Sequence, residues 1–366
     1  MITHSQILDS LVQAFPSLNV GDNANVFSVS CHKNETLKMP EEDAYVFLGD
    51  VHLMTKKDAK KYPKRQFVQP EDFTTFLKTL KELKARWINN LKVFQLGDLF
   101  DVWRSLGGGS EEEKVDAIFL DFEEICDMLK SDPPFGADAT IVAGNHDYDL
   151  HKLPDWYTPR LQTIKDVDDK ECILILHGDM LDPVEKLPDW IKALAVRIAK
   201  GAKGDGHIID EADKNKDEKE VKEFNEKIVT EEGRIGVGSP DLIKDDSSRD
   251  HFKSAPYNVI DGDNLPENDD RMRFFKEAKE LVIELKTENS LDIRTVVIGH
   301  SHYARIIKGD RGDGELFSLV DCGAWYGKCR LGATEKYPWI HSGQVVVFTE
   351  GEFRIYQLGQ RITTAP

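Results

Sequence analysis

The sequence predicts an α/β fold that carries a second sheet and a long insertion. Three features predict it. Short, continuous apolar runs alternate with segments of helical period over most of the chain. Beyond residue 298 only strand-like runs remain. Residues 180–270 break the rhythm with a dense mixture of charges, glycine and proline.

Five runs share one layout, apolar residues followed by an abrupt polar or glycine turn. They are 44–48, 92–96, 139–143, 172–176 and 293–298. Runs of this length without polar alternation read as strands buried on both faces. Two amphipathic segments lie among them. Residues 71–90 place Phe73, Phe76, Leu77, Leu80, Leu83, Trp87 and Ile88 at near-helical spacing. Residues 111–130 do the same with Val115, Ile118, Phe119, Phe122, Ile125 and Leu129, and Ser110 stands where an N-cap belongs. The insertion opens with a helix over 188–203, apolar through Trp190, Ile191, Leu194, Ala195 and Ile198 and basic through Lys192, Arg197, Lys200 and Lys203. A mixed-charge helix near 217–232 and a loop-rich tract follow, and a helix over 271–288 returns the chain to the core. The last runs, 315–320, 344–349 and 353–358, suit a second sheet made largely of hairpins. Residues 1–179 and 271–366 are thus expected to form one domain, with 180–270 as its cap.

Composition excludes several classes. Hydrophobic residues make up 40% of the 366, enough for a full core, so global disorder is excluded. Lys and Arg number 48 against 66 Asp and Glu, a net charge of −18. Nucleic-acid backbones are gripped by Lys and Arg, so a nucleic-acid partner is not expected. No apolar run approaches the length of a membrane span. No basic region followed by an apolar stretch opens the sequence, so no signal peptide is expected. Cys31, Cys126, Cys172, Cys322 and Cys329 are odd in number and form no CxxC pair. They read as reduced thiols of a cytoplasmic protein.

Each of the five apolar strands ends in residues that bind metals. The ends are Gly49-Asp50-Val51-His52, Gly97-Asp98-Leu99-Phe100-Asp101, Gly144-Asn145-His146-Asp147, His177-Gly178-Asp179 and Gly299-His300-Ser301-His302. The carboxyl ends of parallel strands lie along one edge, where α/β proteins bind ligands. In an extended segment Asp50 and His52 point to the same side, as do His300 and His302. Asp50, His52, Asp98, Asn145, His177, His300 and His302 are too many for one ion. Two divalent ions sharing a carboxylate use them naturally, and mixed imidazole and carboxylate donors suit manganese first, with iron or zinc as alternatives.

Together, GDVH, GDLFD, GNHD, a lone strand-end His and GHSH resemble the calcineurin-like metallophosphoesterase superfamily. The resemblance spans most of 44–179 and 293–321. It implies a two-sheet αββα sandwich that hydrolyses phosphoester or phosphoanhydride bonds, a metal-bridging hydroxide attacking phosphorus in line. One ion would take Asp50, His52, Asp98 and His302. The other would take Asp98, Asn145, His177 and His300. His146 would face the substrate and protonate the leaving group or stabilise the transition state, with Asp147 orienting it. Within the superfamily, GDVHL, GDLFDVW, HGD, the basic helix after HGD and Gly323-Ala324-Trp325 are similar to the bacterial UDP-diacylglucosamine pyrophosphatases. That branch implies a UDP-sugar or lipid-linked pyrophosphate and a cap in peripheral contact with the membrane. The chain departs from it in having His146 where the branch has Arg, and in its longer, charged cap. The alternatives are a cyclic-nucleotide phosphodiesterase, a nuclease, a protein phosphatase or a non-catalytic metal-binding scaffold.

Other features have plainer readings. Trp103 and Arg104 follow the second motif and are candidates to line the substrate pocket, against simple packing and solvation. Asp101 and Asp179 either hold a ligand in place or cap a turn. Arg311-Gly312-Asp313 reads as a turn.

Overall fold

The computed structural model describes residues 3–15, 26–33, 37, 39, 43–59, 65–67, 70–87, 91–102, 110–129, 139–146, 161–181, 259–266, 270–302, 304–328 and 343–358. In chain order its elements are α1 (His4–Ala14), β1 (Val26–Lys33), β2 (Ala44–Leu48), α2 (Lys56–Ala59), β3 (Arg65–Phe67), α3 (Pro70–Trp87) and β4 (Leu91–Gln95). Then come α4 (Glu111–Asp121), α5 (Glu123–Leu129), β5 (Ala139–Ile141), β6 (Leu161–Lys165), β7 (Glu171–Leu176), β8 (Val259–Asp261) and α6 (Asp270–Asn289). The chain closes with β9 (Thr295–Ile298), β10 (Arg305–Asp310), β11 (Leu316–Asp321), β12 (Tyr326–Lys328), β13 (Gln344–Thr349) and β14 (Glu352–Leu358).

Two six-stranded sheets form the body. The first has the order β1-β14-β13-β2-β4-β5, the second β6-β7-β9-β11-β10-β8, and β12 and β3 make a small ribbon. In the first sheet β2, β4 and β5 run parallel; in the second, β7 and β9 do. The period of two along each strand decides the layering. Tyr45 and Phe47 of β2 join Ile173 and Ile175 of β7, Val297 of β9 and Val346 and Phe348 of β13 in a core between the sheets. The alternate residues Ala44, Val46 and Leu48 face outward onto Phe73, Phe76, Leu77 and Leu80 of α3, together with α1, α4 and α5. On the far side Leu174, Val296 and Ile298 pack under Phe274, Phe275, Ala278 and Val282 of α6. The result is an αββα sandwich, as expected.

The helix starts are written locally. Pro70 opens α3 with Glu71 and Asp72 in its first turn and Lys84 and Arg86 in its last, matching the helix dipole. Ser110 caps α4 as expected, its Oγ accepting from Glu113 N while the Glu113 carboxylate accepts from Ser110 N. Two expectations are corrected. The predicted helix 111–130 is broken at Phe122, where the Phe122 N–H is shared between the Ile118 and Phe119 carbonyls. At the break Asp121 accepts a hydrogen bond from Lys56 N at 2.7 Å, a tertiary partner that helical periodicity does not encode. The C-terminal strands do not build a separate sheet of hairpins. β10 and β11 join the second sheet, while β13 and β14 join the first alongside β2, because their two faces complete different cores. Of the cap expected over 180–270, all but its two margins lies outside the described residues. Among the described residues no helix is long and apolar enough to cross a membrane.

The opening helix is tied to the last strand by His4. This ring is buried, with Nε2 3.1 Å from the Glu352 carbonyl and Nδ1 2.8 Å from the Tyr356 hydroxyl. Burial, helped by the charge of Arg354, pulls its pKa from 6.5 down to about 4. The unfolded chain therefore takes up the proton first as pH falls. The stability of this docking is intact above pH 6.5 and is lost as pH drops toward 4, by roughly 2–3 kcal/mol at ~1.4 kcal/mol per pKa unit. Urea unfolding at pH 7 and pH 4.5 should show this loss. His4→Asn should flatten it, and an unchanged slope in that variant would place the acid sensitivity elsewhere.

Candidate metal centre

The carboxyl ends of β2, β4 and β5 in one sheet and of β7 and β9 in the other meet at the same end of the sandwich. The loops after β2 and β4 lie side by side. Val51 N and His52 N both donate to the Asp98 carbonyl, Leu53 N donates to Leu99 O, and Asp101 N donates to Leu53 O. This pairing sets Asp50, His52, Asp98 and Asp101 next to one another, all of them buried. Glycines make the approach possible. A Cβ on Gly49 would run into the Gly323 carbonyl, and one on Gly144 into Asp98.

Seven sequence-predicted ligands and His146 converge here. Asp50 Oδ2 lies 2.7 Å from His302 Nε2 and 3.7 Å from His52 Nε2, and these two imidazole nitrogens are 3.1 Å apart. Asp98 divides its two oxygens. Oδ1 accepts from His146 N at 2.8 Å and lies 3.5 Å from His177 Nε2, while Oδ2 faces His52 Nε2 at 3.6 Å. His177 Nε2 is also 3.0 Å from Asn145 Oδ1 and 3.2 Å from His300 Nδ1. Among the described residues, three groups hold donor atoms close enough for one ion: Asp50, His52 and His302; His52, Asp98 and His146; and Asp50, Asp98 and His177.

The extended-chain expectation for these loops is corrected. His52, Asp98, His300 and His302 have φ of 53°, 51°, 62° and 62°, four of the seven non-glycine residues with positive φ among those described. Left-handed backbone costs such residues about 1–2 kcal/mol each, so the strain is concentrated at this site. The turn also separates the two histidines of GHSH. His302 goes to Asp50 and His52, and His300 goes to His177.

The donor chemistry fits cations. His177 Nδ1 donates to the Leu96 carbonyl at 2.6 Å, which leaves Nε2 with its lone pair in the neutral ring. That lone pair faces the Asn145 carbonyl oxygen and Asp98 Oδ1. Converging lone pairs in a buried space call for a positive charge between them, from a proton or a metal. The titration directions agree. Burial, reinforced by Asp98, pushes the Asp50 carboxyl well above the usual range against the pull of His177. Burial would raise Asp98 as well, but His177, His146 and His52 hold it well below. Burial would lower His177, but Asp98 and Asp50 hold it well above.

Asp101 resolves one open reading. Its Oδ1 lies 3.1 Å from His146 Nδ1, so it orients His146. The second carboxylate of GDLFD, three residues after Asp98, is the signal for that role. Asp147, expected to orient His146, lies outside the described residues, as do Trp103 and Arg104. The Gly323-Ala324-Trp325 motif supports the site from behind. Ala324 bridges to Asp50, Trp325 N donates to Asp50 O at 2.7 Å, and the buried indole packs on Phe73 and Phe76.

The calcineurin-like phosphoesterase family matches residues 45–304. The chain belongs to that family, and the family implies a centre of two divalent metals. No curated protein matches the chain in sequence beyond chance. Among solved structures, a 5′-nucleotidase precursor from Thermus thermophilus is similar at 12% identity and a TM-score of 0.27, over 86% of this chain. The chain spans about half the length of that protein, 53%.

Proposed function

We propose that the protein hydrolyses a phosphoester or phosphoanhydride, with Asp98 shared between two divalent cations. The observation that carries this reading is the split of Asp98, one oxygen toward His177 and the other toward His52. Asp50, His52 and His302 would complete one cation site, and Asn145, His177 and His300 the other. The cations would polarise the phosphoryl oxygens and make water nucleophilic near neutral pH. Manganese is the first choice for a set of imidazoles, carboxylates and one amide.

The chain's own groups do the rest. His146 is partly exposed beside Asp98, with its Nδ1 on Asp101. With Nδ1–H donating to Asp101, Nε2 is left beside the Asp98 carboxylate, where a proton carried on it would be delivered to a departing oxygen. Asp101 fixes the orientation of the ring. A UDP-sugar or lipid-linked pyrophosphate is the narrower reading, resting on GDVHL, GDLFDVW and HGD. The Gly323-Ala324-Trp325 motif of that branch is accounted for by support of Asp50.

The test is hydrolysis by the full chain with added manganese. The panel is a nitrophenyl monoester, a bis-nitrophenyl diester, a cyclic nucleotide, a phosphopeptide, single-stranded DNA, a UDP-sugar and UDP-diacylglucosamine. Selective cleavage of the acylated UDP-sugar supports the narrow reading. Cleavage of simple esters alone leaves the dinuclear phosphoesterase and removes the lipid substrate. Selective cleavage of the cyclic nucleotide, phosphopeptide or DNA replaces the narrow reading by that substrate class. Turnover should fall to background on chelation and return with manganese. Two bound cations with no turnover on any substrate would favour the scaffold.

A further inference from the structure

Behind the Gly299–His302 turn lies a buried polar chain that the hydrolysis does not use. Ser301 Oγ donates to Asp321 Oδ2, and Arg305 Nη2 reaches the same carboxylate oxygen at 3.3 Å. Asp321 is fully buried, and Ser301 and Arg305 are nearly so. The strand register explains the meeting. Arg305 opens β10 directly opposite Asp321, the last residue of β11, and β11 is the parallel neighbour of β9, from which the turn departs.

The turn needs an external hold. Ser301 N donates to Gly299 O at 2.7 Å, closing a three-residue turn centred on His300 with φ of 62°, the strained hand of that turn. His302 repeats the left-handed φ. Such backbone persists only where the surroundings over-determine it. From the site side, His300 N donates to Asp50 Oδ1 at 2.9 Å. Ser301, between the two histidines, is the one residue of the turn that faces away from the site. Its hydroxyl is therefore the handle by which the fold can grip the turn from behind.

We propose that Asp321 is a positioning residue: held by Arg305, it grips Ser301 and so fixes the turn that sends His300 and His302 to separate places in the centre. The inference rests on the dinuclear reading above for its consequence, and on the hydrogen bonds alone for its mechanics. Each imidazole is aimed by backbone on one side of Ser301. Loss of the grip should loosen both histidines together, leaving Asp50, Asp98 and His177 in place.

The variants are Ser301→Ala, the isosteric Asp321→Asn and their combination, in the full chain. Titration with manganese, read by its electron paramagnetic resonance, is expected to show ~10–100-fold weaker uptake in each single variant. The double variant should lose no more than the worse single one, because both act through one contact. At saturating manganese the turnover of Ser301→Ala should recover with KM for the ester unchanged. Hydrogen exchange of the 299–302 amides without metal should be faster in Ser301→Ala and be restored in Ser301→Thr. Manganese affinity equal to wild type in folded Ser301→Ala and Asp321→Asn would overturn the proposal, as would unchanged exchange. A wild-type chain that takes up no manganese would overturn the dinuclear reading instead. The exchange result would then still decide the grip.

Discussion

Alanine at position 98 is expected to lower turnover at least ~10³-fold, on the order of 4 kcal/mol of transition-state stabilisation. Asp98 stands between the His177 and His52 imidazoles. Its carboxylate faces His177 with one oxygen and His52 with the other, and it also accepts the His146 backbone N–H. The substitution therefore removes the shared anion and releases the turn that carries Asn145 and His146. Asp98→Asn separates the two effects. It keeps an acceptor for the His146 N–H but not the charge, so its loss should approach that of alanine if the charge is what matters. Steady-state hydrolysis of a nitrophenyl diester, with metal content measured on the same samples, checks this. Turnover within tenfold of wild type in Asp98→Ala would remove the shared-carboxylate reading.

His146→Ala is expected to lose ~10²–10⁴-fold on an ester with an alkoxide leaving group, the usual range for a general acid. On a nitrophenyl ester the loss should be far smaller, because nitrophenolate departs without help. Metal uptake should be unchanged, since His146 is not needed for the Asp50–His52–His302 group or the Asp50–Asp98–His177 group. Asp101→Asn should reproduce the leaving-group dependence at about tenfold, because it weakens the hold on Nδ1 without removing the ring. Equal losses on both esters would assign His146 to charge stabilisation, and no loss on either would remove it from the reaction.

Much of the site was legible in the sequence because each group follows a buried strand. Apolar runs at 44–48, 92–96 and 172–176 are hard to mistake, and the residues after them fall at the strand ends by construction. What could not be read is what depends on distant partners. Whether β13 and β14 join the first sheet or the second depends on which core their faces complete, and a strand pattern alone does not say. The break at Phe122 depends on Asp121 meeting Lys56, 65 positions earlier. The opening helix carries its own signal, the Thr3 and Gln6 capping box with Ile7, Leu11 and Phe15 four apart, but its docking rests on His4 meeting Tyr356. The family resemblance put His300 and His302 on separate ions, whereas the residues read alone pointed them to one side. A period-two argument assumes extended chain, and these loops are not extended.

The centre lies on the seam between the two sheets, and this gives it a second meaning. Asp50, His52, Asp98, Asn145 and His146 belong to one layer, and His177, His300 and His302 to the other. Each of the two proposed cation sites draws donors from both layers. A chain whose layers have slipped, or closed with one strand out of register, cannot make a weaker enzyme by degrees, because the donors of one side then have nothing to face. Activity in this architecture works as an inspection of assembly: the reaction starts only when the two sheets have found each other.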